Sequence, residues 1–166
     1  MIATLSPMLA IIWHSRTGAA HAMAEAAYNG ALIGGPAALI RACDATPDTL
    51  LNAKGYLFAC PENLGSMTGE MKEFFDRCYY PLLVEIEGRA YATLTAAGSD
   101  GRGALAQIDR IVTGWRLRRV AEPIIANLQA QTPEAIMAAK IVPEDVLAEC
   151  RECGQAMAEG LGLGIF

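Results

Sequence analysis

The sequence lacks any apolar run long enough to cross a membrane. Its best candidate, Ala31 to Ile40, is broken by Gly34, Gly35 and Pro36, far short of the ~18 consecutive apolar residues a spanning helix needs. The 53% hydrophobic content and mean hydropathy of +0.27 therefore go into a core. Basic residues are the minority, 13 against 18 acidic for a net charge of −5, which disfavours nonspecific nucleic-acid binding and leaves nucleic acid an unexpected partner. Only two histidines are present, too few for a metal centre or for acid–base work, and no metal ligands are expected. His14 reads as a strand-end residue and His21 as a helix-surface one. The chain has no GxGxxG and no glycine-rich loop ending in Lys, so a dinucleotide or ATP bound in those modes is not expected. Neither a Pro- or Ser-rich linker nor an internal repeat divides it, and 166 residues make one domain by length.

Cysteine is present but unpatterned. Five residues, Cys43, Cys60, Cys78, Cys150 and Cys153, give an odd count, and no basic segment leads into a signal-like apolar core, so the cytoplasm is the expected compartment. The one CxxC, Cys150 to Cys153, falls with Val146 and Met157 on a single helical stripe. It reads as two buried thiols packing as small hydrophobes.

What the sequence does have is an alternation of short apolar strands and amphipathic helices, the pattern of one α/β domain. Strands are expected at Met8 to His14, Ala37 to Ala42, Gly55 to Cys60, Arg89 to Ala96 and Val120 to Ile125. Helices are expected at Gly18 to Leu32, Thr46 to Asn52, Gly69 to Tyr79 and Ala104 to Trp115, with further helices starting at Pro133 and Pro143, the last fraying after Gly160. The first helix carries a small-residue face of Ala20, Met23, Ala24, Ala27 and Ala31, suited to close packing on a sheet. The third carries a core stripe of Met67, Met71, Phe74, Phe75 and Cys78. Right-handed crossovers then give a five-stranded parallel, doubly wound sheet.

Such a sheet binds ligands at the carboxyl ends of its strands, which singles out three loops. The first, His14 to Ala20, joins a buried strand to a helix N-terminus, where unpaired N–H groups and the helix dipole favour an anion such as phosphate. Ser15 and Thr17 either donate to that anion or cap the helix; Arg16 either faces it or is solvated. The second loop, Pro61 to Ser66, is stiffened by Pro61 and lets backbone approach a flat ligand at Gly65, with Asn63 and Ser66 able to read heteroatoms. The third, Gly98 to Gly103, offers Ser99 and Asp100, the latter equally readable as a turn or cap residue.

Three segments together, Ile11-Ile12-Trp13-His14-Ser15-Arg16-Thr17-Gly18, Cys60-Pro61-Glu62-Asn63-Leu64-Gly65-Ser66-Met67 with Lys72, Phe74, Asp76 and Arg77, and Ala97-Gly98-Ser99-Asp100-Gly101, resemble the flavodoxin family and its NAD(P)H-dependent flavin and quinone reductase branch. They span about the first two thirds of the chain. The resemblance implies a flavodoxin-like three-layer α/β/α sandwich with a five-stranded parallel sheet in the order 2-1-3-4-5. It implies an FMN whose phosphate lies in Ser15, Arg16, Thr17, Gly18, Ala19 and Ala20. Its ring would rest against Pro61, Glu62, Asn63, Leu64, Gly65 and Ser66 and against Gly98, Ser99, Asp100 and Gly101. Electrons would pass from NAD(P)H through the flavin to a quinone or similar small acceptor, with no side chain as nucleophile. A homodimer or higher homo-oligomer is expected, since exposed flavin faces in such reductases are often completed by a second subunit. The alternative is a non-enzymatic FMN electron carrier serving a protein partner.

Two departures bear on that choice. Ala20 stands where family members commonly carry Thr, removing one hydroxyl donor. Leu64 stands on the second loop, and the third has no aromatic, leaving a ring face open to a substrate. The mild net charge and the cluster Arg110, Arg116, Arg118 and Arg119 also differ from strongly acidic carriers, the cluster reading mainly as a solvated helix end and otherwise as a contact for an NADPH phosphate or an acidic subunit. Rival chemistries on the same kind of sheet fail: the first loop has no nucleophilic Cys, Cys60 is followed six residues on by Ser66 rather than Arg, and no paired carboxylates end the first strand.

Overall fold

A computed structural model describes residues 8–166. Its strands are β1 (Leu9–Trp13), β2 (Ala37–Arg41), β3 (Gly55–Asn63), β4 (Ser66–Met67), β5 (Ala90–Ala97), β6 (Arg118–Arg119) and β7 (Ile124–Asn127). Its helices are α1 (Ala19–Gly34), α2 (Pro47–Asn52), α3 (Gly69–Tyr79), α4 (Arg102–Gly114), α5 (Pro133–Met137) and α6 (Glu144–Leu163). The sheet runs β2-β1-β3-β5, with β6 and β7 both alongside β5, and all these pairings are parallel. The expected strand order is therefore present, helices lie on both faces, and the expected fifth strand is divided.

That division corrects the continuous strand expected over Val120 to Ile125. Pro123 has no N–H to give to a ladder, so β6 pairs with the start of β5 and β7 with its end. A second correction concerns Pro61 to Ser66. β3 runs on through Asn63 and folds back antiparallel as β4, with Glu62 opposite Met67 and Asn63 opposite Ser66. Leu64 and Gly65 form the two-residue turn at φ 54° and 71°, the positive φ that a tight hairpin of matching twist requires. The segment is a hairpin rather than a loop. Thirdly, α6 does not fray at Gly160 but continues to Leu163 and ends at Gly164 in the left-handed region.

Alternation along the strands divides the core in two. Leu9, Ile11, Leu57, Ala59, Ala92, Leu94 and Ala96 face α1 and α6; Ala10, Ile12, Tyr56, Phe58 and Tyr91 face α3 and α4. Cys150, Cys153 and Met157 of α6 are buried in the first cluster, as the stripe predicts. Burial pushes the Cys150 thiol up to about 12 and that of Cys153 to about 11, so neither carries thiolate near neutrality. Among the described residues no helix is long and apolar enough to cross a membrane.

Candidate functional site

The carboxyl ends of β1, β3 and β5 open on a cavity of about 700 Å³, within the ordinary size range of small-molecule sites. Ser15, Arg16, Thr17, Ala19 and Ala20 form one end. Pro61, Glu62, Asn63, Leu64 and Gly65 come from the hairpin, and Gly98 and Ser99 from the loop after β5. These three segments, far apart in sequence, converge because β1, β3 and β5 are adjacent and parallel. Gly18, Ser66, Asp100 and Gly101, also expected at the site, do not line the cavity.

At the first end, α1 begins at Gly18 in the left-handed region (φ 97°) with no side chain capping it and no acidic residue in its first turn. Ser15 Oγ accepts from the Gly18 amide at 3.1 Å, which closes the loop on itself instead of covering the helix. The amides of Ala19, Ala20 and His21 have no acceptor one turn below, so the positive helix end opens into the cavity. The choice between capping and ligand-binding for Thr17 narrows accordingly: its hydroxyl caps nothing, and its carbonyl accepts from the Lys140 amide at 2.8 Å.

The hairpin is held from below by side chains expected to face a ligand. Glu62 accepts from the amides of Gly101 (2.9 Å) and Ala104 (3.0 Å), supplying from another strand the carboxylate that a helix N-terminus prefers. Its principal work is anchoring α4. Ser66 is likewise committed: its hydroxyl donates to Gln107 Oε1 at 2.8 Å, which also accepts from the Met67 amide. Asp100 pairs with Arg102 at 2.6 Å, and that hydrogen bond holds its carboxyl below the usual range. These bonds commit Glu62, Ser66 and Asp100 to partners within the protein, and of the three only Glu62 lines the cavity. Asn63 and Ser99 remain at the cavity, and Leu64 stands wholly exposed at the hairpin tip.

His14 does more than end a strand. Its Nδ1 lies 2.7 Å from Thr68 Oγ1 and its Nε2 2.6 Å from Glu70 Oε2, tying β1 to the start of α3. A neutral ring protonated at Nε2 donates to Glu70 and accepts from Thr68, using both nitrogens. Burial, with Arg16 and Arg41 nearby, holds its pKa below 6.5 against the opposing pull of Glu70. His21 is not a bare surface residue either; it stacks on Trp13 with centroids 4.1 Å apart. Of the arginine cluster, Arg116 pairs with Glu87 and Arg119 with Asp109.

One wall was illegible in the sequence. Leu128, Ala130, Ile136, Met137 and Lys140, between β7 and α6, cross over the cavity. The segment is fastened at both ends: Leu128 donates to the Ala97 carbonyl and Asn127 Nδ2 to that of Ser99, while Lys140 reaches Thr17 as above. A Cβ at Gly98 would sit 2.6 Å from the Ala130 carbonyl, so the close approach needs glycine there. Pro133 was the only local signal, and it marked α5 without its neighbour.

The arrangement offers amides and hydroxyls for an anion at one end and a slot walled by Pro61, Leu64, Ala96 and Ala97 at the other. Among the described residues lining the cavity there is no Cys, His or Asp. The family model for NADPH-dependent FMN reductases matches residues 36–129, more than half of the chain. The chain belongs to this family. The matched stretch begins beyond the Ser15 to Ala20 loop. The chain is also 28% identical over 160 residues to a flavodoxin of Aquifex aeolicus, covering 92% of this chain and 86% of that one. Its fold is flavodoxin-like. It aligns with an archaeal flavodoxin at a TM-score of 0.74 and 20% identity, covering 93% and 98% of the two chains. With the flavodoxin-type WrbA-like protein of Agrobacterium tumefaciens the values are 0.72 and 21%, over 93% and 97%.

Proposed function

We propose that the chain binds FMN and acts as an oxidoreductase, taking electrons from NAD(P)H and passing them to a quinone or other small acceptor. The observation that carries this is the single cavity joining an uncapped helix N-terminus to an apolar slot bounded by the hairpin and the loop after β5. The donor set suits the group. Amides at α1, with the Ser15 and Thr17 hydroxyls, match a dianionic phosphate, and a slot with no aromatic side chain in its lining leaves room for a flat tricyclic ring. Bound flavin would supply the redox chemistry, accepting hydride from a nicotinamide and releasing electrons to the acceptor. The chain's residues bind and orient: Ser15 to Ala20 hold the phosphate, Pro61 to Gly65 and Gly98 to Ser99 flank the ring, and Glu62 keeps the hairpin and α4 in register. Leu64, which cannot stack as an aromatic would, favours an accessible ring face. A second copy completing the open side is the assembly this reading expects, and sedimentation would detect it.

The alternative, an electron carrier for a protein partner, is supported by the similarity along most of the chain to a protein described as a flavodoxin. One titration and one mixing experiment separate the readings. FMN fluorescence is expected to quench on addition of protein; no quenching up to about 50 µM, a binding free energy of about 6 kcal/mol, would remove both. With FMN bound, anaerobic NADPH or NADH is expected to bleach the flavin's visible band. Bound flavin that neither nucleotide bleaches would leave the carrier.

A further inference from the structure

We propose that Lys140 is a phosphate-binding residue, closing the anion site at α1 from outside the loop that forms its floor and offsetting the hydroxyl that Ala20 does not supply. The proposal rests on the FMN reading. Lys140 lines the same cavity as Ser15, Arg16, Thr17 and Ala20 although more than a hundred residues separate them, and the hydrogen bond from its amide to the Thr17 carbonyl fixes its backbone against that loop. The ammonium is held too. Nζ donates to the carbonyls of Ile136 (2.8 Å) and Ala138 (2.6 Å) at the end of α5. An ammonium has three donors, so one remains, on a side chain whose freedom is already spent. Such preorganisation lowers the ordering cost of binding.

Charge points the same way. Among the described residues neither Lys140 nor Arg16 forms an ion pair with a carboxylate. The acidic side chain lining the cavity, Glu62, is turned into the N-terminus of α4. Two unpaired cations therefore border the cavity, matching the roughly two negative charges of a phosphate monoester.

The test compares FMN with riboflavin, which has the same ring and ribityl chain but no phosphate, by fluorescence quenching at low and high salt. The proteins compared are wild type, Lys140→Gln and Lys140→Arg. Lys140→Gln is expected to weaken FMN about ten-fold, the lower end for a hydrogen bond to a charged group, to leave riboflavin affinity within about two-fold and to flatten the salt dependence of FMN binding. Lys140→Arg is expected to restore most of the loss. Unchanged FMN affinity in Lys140→Gln overturns the proposal, as does an equal loss for FMN and riboflavin, which would mean that Lys140 only holds α5 in place. Wild-type protein that quenches neither flavin defeats the FMN reading and this proposal with it; wild-type FMN binding that Lys140→Gln retains defeats this proposal alone.

Discussion

The two faces of the sheet are built from different materials. Toward α1 and α6 the core is largely alanine, with Ala20, Ala24, Ala27, Ala31, Ala59, Ala92 and Ala96 among its buried residues. Toward α3 and α4 it is aromatic: Phe58 lies within 6.4 Å, centroid to centroid, of Phe74, Phe75 and Tyr91, and Phe75 meets Trp115 at a tilt with centroids 5.5 Å apart. Small residues let backbones approach. A Cβ at Gly30 of α1 would collide with the Arg151 carbonyl of α6, and one at Gly154 of α6 with the Ala27 carbonyl of α1. The lesson concerns which part of a core tolerates adjustment. Side chains can shift rotamer to admit added volume, whereas backbone packed against backbone cannot. The close-packed face carries α1, whose N-terminal residues Ala19 and Ala20 line the cavity, so rigidity is concentrated beside it.

The comparison breaks most visibly by removing volume from the aromatic face. Phe58→Ala empties the centre of that cluster, and a loss of about 4 kcal/mol is expected from buried Phe truncations. Denaturant unfolding measures it; a loss below about 1 kcal/mol would show that the ring network collapses into the gap. Adding volume to the other face comes next. Gly154→Ala gains about 1 kcal/mol of helix propensity but drives a methyl into the Ala27 carbonyl, and the net expectation is a loss of about 2 kcal/mol, from overpacking against backbone. A neutral or stabilising result would mean that α1 and α6 slide apart freely. The two tryptophans sharpen both measurements, because Trp13 packs on the alanine face and Trp115 within the aromatic one. Phe58→Ala should perturb Trp115 emission and Gly154→Ala that of Trp13.

The same contrast explains what could be read from sequence. The Met71, Phe74, Phe75, Cys78 stripe and the Ala-rich face of α1 are periodic because each helix has one buried side, and both helices lie where that period puts them. The Ser15 to Ala20 loop is legible as a cavity wall because it joins a buried strand end to a helix N-terminus, and Ser15, Arg16, Thr17, Ala19 and Ala20 line the cavity. Less visible were elements whose role depends on a neighbour. Pro61-Glu62-Asn63 looks like loop because it is polar and contains proline, yet Pro61 pairs with Ala96 across a parallel ladder, and Glu62 is polar because the amides of α4 lie beneath it. Gly154 sits in mid-helix because the Ala27 carbonyl of α1 leaves no room for a Cβ. The wall from Leu128 to Lys140 has no periodicity at all; only fold contacts to Ala97, Ser99 and Thr17 bring it over the cavity.

The smallest effect expected lies where the two faces meet, at the end of β1. Trp13 turns toward the alanine side and stacks on His21, while His14 turns toward α3 and reaches Thr68 and Glu70. Burial, reinforced by Arg16 and Arg41, keeps the folded pKa of His14 below 6.5, with Glu70 opposing. Above pH 6.5 the ring is neutral in both folded and unfolded chains, and the stability linked to it is fully present. As pH falls below that value the unfolded chain takes up the proton more readily, so stability declines until the folded pKa has been passed. Denaturant midpoints measured between pH 7.5 and pH 5 should therefore fall on acidification in wild type, by less than either core substitution costs. His14→Gln should flatten that dependence. An unaltered slope in His14→Gln would mean that the pairing with Glu70 cancels the cost of burial, so that the end of β1 is indifferent to protonation on its aromatic side.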